Sequence, residues 1–189
     1  MAIELREVIF VSTSHVLNDP LSDYAKSKLA AEKKVCHSAD KGLRAVIARP
    51  ANHTDPGQSS TFIVPSFIRQ AKEIKTGMCS RFTVGNLESV RDFSDVIDIV
   101  RAYRILLECG ECKCGYNIYS FCRMKTGDLL DVIASVAGVD MDYDVDEKLW
   151  RPVDLSPVFD TRKIKSIGWM PETPIEQTIR DILDYDDVV

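Results

Sequence analysis

No run of apolar residues in this sequence approaches the roughly 20 needed to span a bilayer. The opening MAIELRE is charged where a secretory signal would be apolar. Positive charge is not in excess either: 24 Lys and Arg stand against 29 Asp and Glu, a net charge of −5 that argues against nucleic acid as a partner. There is no internal repeat and no low-complexity linker. These absences point to a cytoplasmic globular protein away from membranes, with its six cysteines expected as thiols. The composition is the ordinary mix for that class, 45% hydrophobic and 28% charged. A length of 189 residues suits one domain, or one and a fraction, with a core that needs no disulfide staples.

Along the chain, VIFVS (Val8 to Ser12) reads as a strand buried on both faces, of the parallel-sheet type. NDPLSD is turn chemistry in which Ser22 or Asp23 can cap the helix that follows. YAKSKLAAEKKVCHSADKG reads as that helix, with Gly42 as its stop. LRAVIARP (Leu43 to Pro50) is a second buried strand, so a strand–helix–strand unit opens the chain. Beyond Pro50 come a polar loop, ANHTDPGQSS, and helices expected over Phe62 to Thr76, Ser94 to Cys109 and Thr126 to Gly138, interleaved with short strands. TPIEQTIRDILDY carries a start signal in which Thr173 caps, Pro174 takes the first helical position and Glu176 completes a capping box.

Tyr24 and Lys28 stand four apart and share a helix face. By itself the spacing also fits a half-buried tyrosine beside a solvated lysine. The context adds to it, because the helix follows a strand ending in the hydroxyls of Ser12 and Thr13. An ammonium one turn away favours the phenolate and brings tyrosine proton transfer toward neutral pH, and a nearby hydroxyl can hold the oxygen that receives the proton. This is a kit for moving a proton at a carbonyl or alcohol oxygen.

VSTS, YAKSKLAAE, RPANHTDPGQ, VGNLESVRDFSDVIDIVRAY, YNIYS and GWMPETPIEQTIRDIL follow one another in an order that resembles the extended short-chain dehydrogenase/reductases, in the nucleotide-sugar branch. NHTDPGQ with GNLESVRDF is most similar to the GDP-mannose 4,6-dehydratases and GDP-6-deoxy-4-keto-mannose reductases. The resemblance implies that Tyr24 is the acid/base and that Lys28 is its partner, the two also meeting the nicotinamide ribose of NAD(P). It implies that Thr13 binds the reacting sugar oxygen, with Ser12 as the other assignment. Asn52, Arg91 and Arg151 would hold the diphosphate and ribose of a nucleotide-sugar, a GDP-sugar by the closest likeness. Arginine forks suit phosphate oxygens, although Arg91 could equally pair with Asp92 or Asp95, and Arg151 with Asp154.

The family's cofactor cradle is a glycine-rich turn between a strand and a helix. No G-x-G-x-x-G or G-x-x-G-x-x-G occurs here. Against the usual doubly wound layout, Val8 to Ser12 corresponds to about the fifth strand, and more than roughly a hundred residues of cofactor domain are expected outside this sequence. The fold expected is therefore α/β: a truncated Rossmann-type sheet over residues 1–50 and a small substrate-binding lobe over 51–189. The first strand should expose an unpaired edge, which favours a homo-oligomer or a swapped dimer. Little or no NAD(P) binding is expected of this chain alone. The functional expectation is the C-terminal portion of a GDP-4-keto-6-deoxymannose reductase. A non-catalytic nucleotide-sugar-binding or structural remnant is the first alternative. GDP-mannose 4,6-dehydratase is the second, disfavoured because Ser14 and His15 stand where that branch carries an acid. Cys109, Cys112, Cys114 and Cys122 have zinc-like spacing, but reduced cysteines in a loop are the simpler reading, and no metal is expected.

Overall fold

The computed structural model describes residues 7–18, 22–152 and 159–185. Among these, the chain runs through β1 (Glu7–Val11), α1 (Asp23–Ala39), β2 (Arg44–Pro50), β3 (Asn52–Thr54), α2 (Ile63–Lys75), β4 (Phe82–Val84), β5 (Val90–Asp95), α3 (Val96–Cys109), β6 (Gly115–Ile118), β7 (Arg123–Lys125), α4 (Thr126–Ala137), β8 (Tyr143–Val145), α5 (Arg162–Ser166) and α6 (Ile175–Asp184). The α/β class read from the sequence is the class adopted. The chain forms two compact units and enters each more than once: the first takes Met1–Ala51, Ile97–Ser120 and Pro157–Glu172, the second Asn52–Val96, Phe121–Ser156 and Thr173–Val189.

The first unit is built on a parallel sheet in the order β1-β2-β6. β2 is the central strand, and Ala45 to Ala48 are buried, as a strand covered on both faces requires. Val46, Ile99, Leu106, Ile118, Ile164 and Trp169 form the core. The Trp169 indole donates to the Asp98 carbonyl at 2.9 Å, so its one polar atom is satisfied in the interior. Among the described residues β1 pairs only with β2, leaving it an edge strand.

The helix α1 begins at Ser22, whose hydroxyl accepts from Ala25 N at 3.2 Å. It buries only Ala25 and Glu32, too little apolar surface to fix it on a sheet. An ion pair supplements that contact. The Arg49 guanidinium on β2 donates to both Glu32 oxygens, at 2.9 and 2.6 Å. Gly115 on β6 makes room for it, because a Cβ there would lie 2.8 Å from Arg49 Cζ.

In the second unit, α2, α4 and α6 enclose an apolar core with Val64, Phe67, Phe82, Leu129, Ile133 and Ile179. Each such side chain contributes about 1.5–3 kcal/mol on burial. Beside it lie a three-stranded sheet, β3-β5-β7, and the parallel pair β4-β8. Gln70 on α2 acts as a surrogate strand for β4, accepting from Thr83 N at 2.6 Å and donating to Thr83 O at 3.3 Å. Gly138, at φ 71°, takes the left-handed position that ends α4.

The start of α6 differs from expectation. Pro174, not Thr173, occupies the cap, with extended backbone and no side-chain cap bond. The Pro174 carbonyl receives Gln177 N and Thr178 N, and the Thr178 hydroxyl donates to the Asp95 carboxylate at 2.8 Å. That buried tie to β5 sets where the first turn begins.

Candidate active site and ligand cavity

The residues singled out by the sequence fall into two groups, one in each unit. In the first unit, the spacing of Tyr24 and Lys28 on α1 brings them together. The Lys28 ammonium lies 5.9 Å from the Tyr24 ring centroid and 5.6 Å from that of Phe10, and donates to the Val11 carbonyl at 3.1 Å. It is therefore fixed between the end of β1 and the phenol. Tyr24 is 56% exposed, so its phenol is open to a ligand. Thr13 is buried, and its hydroxyl accepts from His15 N at 3.3 Å, capping the 3-10 turn Ser14–Leu17. The neighbouring Ser12 hydroxyl is also buried and has no hydrogen-bond partner among the described residues, an arrangement that native interiors avoid. The Thr13 hydroxyl, an acceptor here, keeps its O–H donor. The turn expected over NDPLSD falls partly outside the described residues.

In the second unit, Asn52, Arg91 and Arg151, up to 99 positions apart in sequence, line one cavity of about 340 Å3. Asn52 opens β3, and Arg91 lies on β5 opposite Met124 of β7. Arg151 comes from the loop after β8, where its Nη1 donates to Lys148 O at 3.1 Å and Trp150 O at 2.8 Å. Asn86 holds the same loop by donating to Arg151 O at 2.9 Å. The suggested ion partner Asp154 lies outside the described residues. Asp92 is within 3.2 Å of the Ser94 hydroxyl, and Asp95 accepts from Thr178.

Among the described residues, no carboxylate lines this cavity, although the chain carries 29. Thr61, Ser66, Thr83, Ser89 and Thr126 add hydroxyls, and Phe62, Phe67 and Leu149 add apolar wall. The result is a positive, hydroxyl-rich cleft with apolar flanks, the chemistry to hold a phosphorylated organic ligand.

Two contributors escaped sequence reading. Gly85 has no room for a side chain, because a Cβ would meet the Leu149 carbonyl oxygen at 2.3 Å. The glycine in VGN is the only local sign of that contact. Gln58 braces the wall by accepting from the Thr54 hydroxyl at 2.9 Å and donating to His53 O at 3.2 Å.

The cysteines are dispersed chemically. Cys109 and Cys112 are exposed, whereas burial pushes the Cys122 thiol up to about 11, with Asp92 and Glu176 adding to it. Among the described residues, no three His, Cys, Asp or Glu side chains are grouped to hold a metal. No helix of the described residues is long and apolar enough to cross a membrane.

A family model for GDP-mannose 4,6 dehydratase matches residues 6–182. GDP-6-deoxy-D-mannose reductase of Pseudomonas aeruginosa is 36% identical over 168 residues, taking in 87% of this chain and 55% of the relative. GDP-mannose 4,6 dehydratase 2 of Arabidopsis thaliana is 28% identical over 172 residues, 88% of this chain and 46% of the relative. Among solved structures, RMD from Pseudomonas aeruginosa complexed with NADPH aligns with a TM-score of 0.83 at 31% identity, over 94% of this chain and 65% of that one. The chain thus spans about half the length of the curated relatives it matches.

Proposed function

This chain belongs to the GDP-mannose 4,6 dehydratase family, and from that premise we propose that it is the substrate-binding and proton-transferring portion of a GDP-4-keto-6-deoxymannose reductase. The observation that carries the proposal is the cavity of the second unit, where Asn52, Arg91 and Arg151 meet with no carboxylate among the described lining residues. Two phosphate charges suit two guanidinium groups, and the sugar and base can use the hydroxyls and the apolar flanks.

The proton step belongs to the first unit. Lys28, held by the Val11 carbonyl, stabilises the phenolate as Tyr24 gives its proton to the C4 oxygen of the sugar. The Thr13 hydroxyl accepts from His15 N and keeps its own O–H to donate to that oxygen, and the buried Ser12 hydroxyl is the other candidate. The reductase reading is preferred to dehydration because Ser14 and His15 supply no carboxylate beside Thr13.

A nicotinamide dinucleotide would supply the hydride. The described residues fit only part of it. Tyr24 and Lys28 suit the nicotinamide ribose. For the pyrophosphate there is no glycine-rich turn: α1 starts at Ser22, and the positive-φ glycines 42, 57, 77, 138 and 168 do not form a strand–turn–helix cradle. A binding role without turnover is the second reading, favoured by this partial fit.

Titration calorimetry with GDP-mannose tests the proposal. Arg91→Ala and Arg151→Ala should each weaken binding roughly ten- to hundredfold, as loss of a charge-assisted contact of about 1.5–3 kcal/mol requires. Unchanged affinity in both variants refutes the clamp. The same chain should bind NADPH no tighter than about millimolar; a micromolar Kd by nicotinamide fluorescence overturns that reading. Turnover of the keto sugar with NADPH separates enzyme from binding module, and turnover indifferent to Tyr24→Phe removes Tyr24 from the mechanism.

A further inference from the structure

The loop carrying Gln58 has a second face. There, still within the second unit, lies another cavity of about 400 Å3 between that loop, α2 and the end of α6. Arg69 and Lys72, one turn apart on α2, line it, and Ser59 and Ser60 face them from the loop. Ile68 and Ile182 supply apolar surface. As in the first cavity, no carboxylate is among the described lining residues.

Both cations retain donors. Arg69 is paired with Glu73, one turn on, through one guanidinium nitrogen. Lys72 donates to the Tyr185 carbonyl at 3.0 Å. A guanidinium carries five N–H donors and an ammonium three, so both can serve a further acceptor without giving up these partners. Those partners also fix where the charges stand. The Tyr185 ring closes one side, with its hydroxyl 3.7 Å from where a Cβ on Gly57 would be. Gly57, at φ 81°, adopts the left-handed conformation that lets the loop turn there.

We propose that this second cavity is a binding site for a small phosphate-bearing molecule, separate from the nucleotide-sugar cavity. Two cations one helical turn apart and two hydroxyls opposite match a phosphoryl group's need for several donors converging from different directions. The apolar surface suits a small organic portion. Gln58 lines both cavities, so a ligand in the second would brace a wall of the first.

The test is a two-dimensional NMR titration of the full chain with inorganic pyrophosphate, at ionic strength matched with sodium chloride. The expected result is saturable shifts at the Ser59, Ser60, Arg69 and Lys72 amides. Affinity should fall at least tenfold in Arg69→Gln/Lys72→Gln, persist in the charge-conserving Arg69→Lys/Lys72→Arg, and be unchanged in Arg91→Ala. The charge-conserving pair guards against loss of the Lys72–Tyr185 contact simply disturbing the fold. Shifts confined to Asn52 and Arg91, shifts that never saturate, or affinity indifferent to the neutralising pair would each overturn the site.

Discussion

In the first unit, Glu32 and Arg49 are buried against each other and hold a helix whose apolar face is thin. In the second, three helices enclose an apolar core, and Arg91 and Arg151 stand on a cavity wall that no described carboxylate lines. The same residue type, arginine, does opposite work. Where an acid meets both forks of its guanidinium, the charge is structural. Where a guanidinium lines a cavity with hydroxyls and carbonyls about it, as Arg151 does, the proposed role for the charge is to meet an anion from outside. Counting arginines in the sequence cannot make this distinction; the geometry of their acceptors does.

The largest test of that contrast removes the structural pair. Glu32→Ala leaves a guanidinium largely out of water without its partner, and the unfolding free energy should fall by about 3 kcal/mol. Replacing both members, as in Glu32→Met/Arg49→Leu, should recover most of the loss. Urea denaturation of the three proteins checks this. A single variant as stable as the parent would mean that α1 is anchored by something other than its ion pair.

A smaller effect is expected at Gly85. An alanine Cβ there would press on the Leu149 backbone, displacing the loop that carries Arg151. Gly85→Ala should weaken GDP-mannose binding by roughly tenfold, about 1.4 kcal/mol. Calorimetry reads the affinity, and equal affinity would show that the loop can yield without moving Arg151.

The smallest effect is one of pH. Burial, then Asp92 and Glu176, raise the Cys122 thiol to about 11, above its ordinary value near 9. The folded chain thus holds this proton where the unfolded chain releases it. The contribution is complete below about pH 9 and is lost as pH rises toward 11. Thermal unfolding should show an alkaline decline over that interval that is shallower in Cys122→Ala. Identical slopes would remove Cys122 as its source.

Much of this was legible in order along the chain. Ser22 announced α1, the β-branched runs announced strands at β1 and β2, and the four-residue step from Tyr24 to Lys28 placed two side chains side by side; the burial expected on both faces is found in β2 but not in β1, an edge strand whose Val11 is exposed. These are local properties of spacing and propensity. The shared cavity of Asn52, Arg91 and Arg151 was approachable only through motif resemblance, because nothing local ties residue 52 to residue 151. What stayed hidden depended on a distant partner: Glu32 finding Arg49, Leu149 resting on Gly85, and Thr178 reaching Asp95 to reset the start of α6.

The parallel pair β4-β8 also orders events in time. Phe82 pairs with Tyr143, across about sixty residues of chain, whereas β3 and β5 join across about forty. Contacts between distant segments form slowly, because the entropy of closing the intervening loop is lost before the contact repays it. The loop bearing Leu149 and Arg151 follows β8 directly, so the wall it forms waits on this closure, as α6 waits on the longer one between Asp95 and Thr178. In stopped-flow refolding, the helical signal should return before the capacity to bind GDP-mannose; simultaneous recovery would show that the strand pair forms with the helices. A chain caught in the interval would look folded and yet be unable to recognise its ligand.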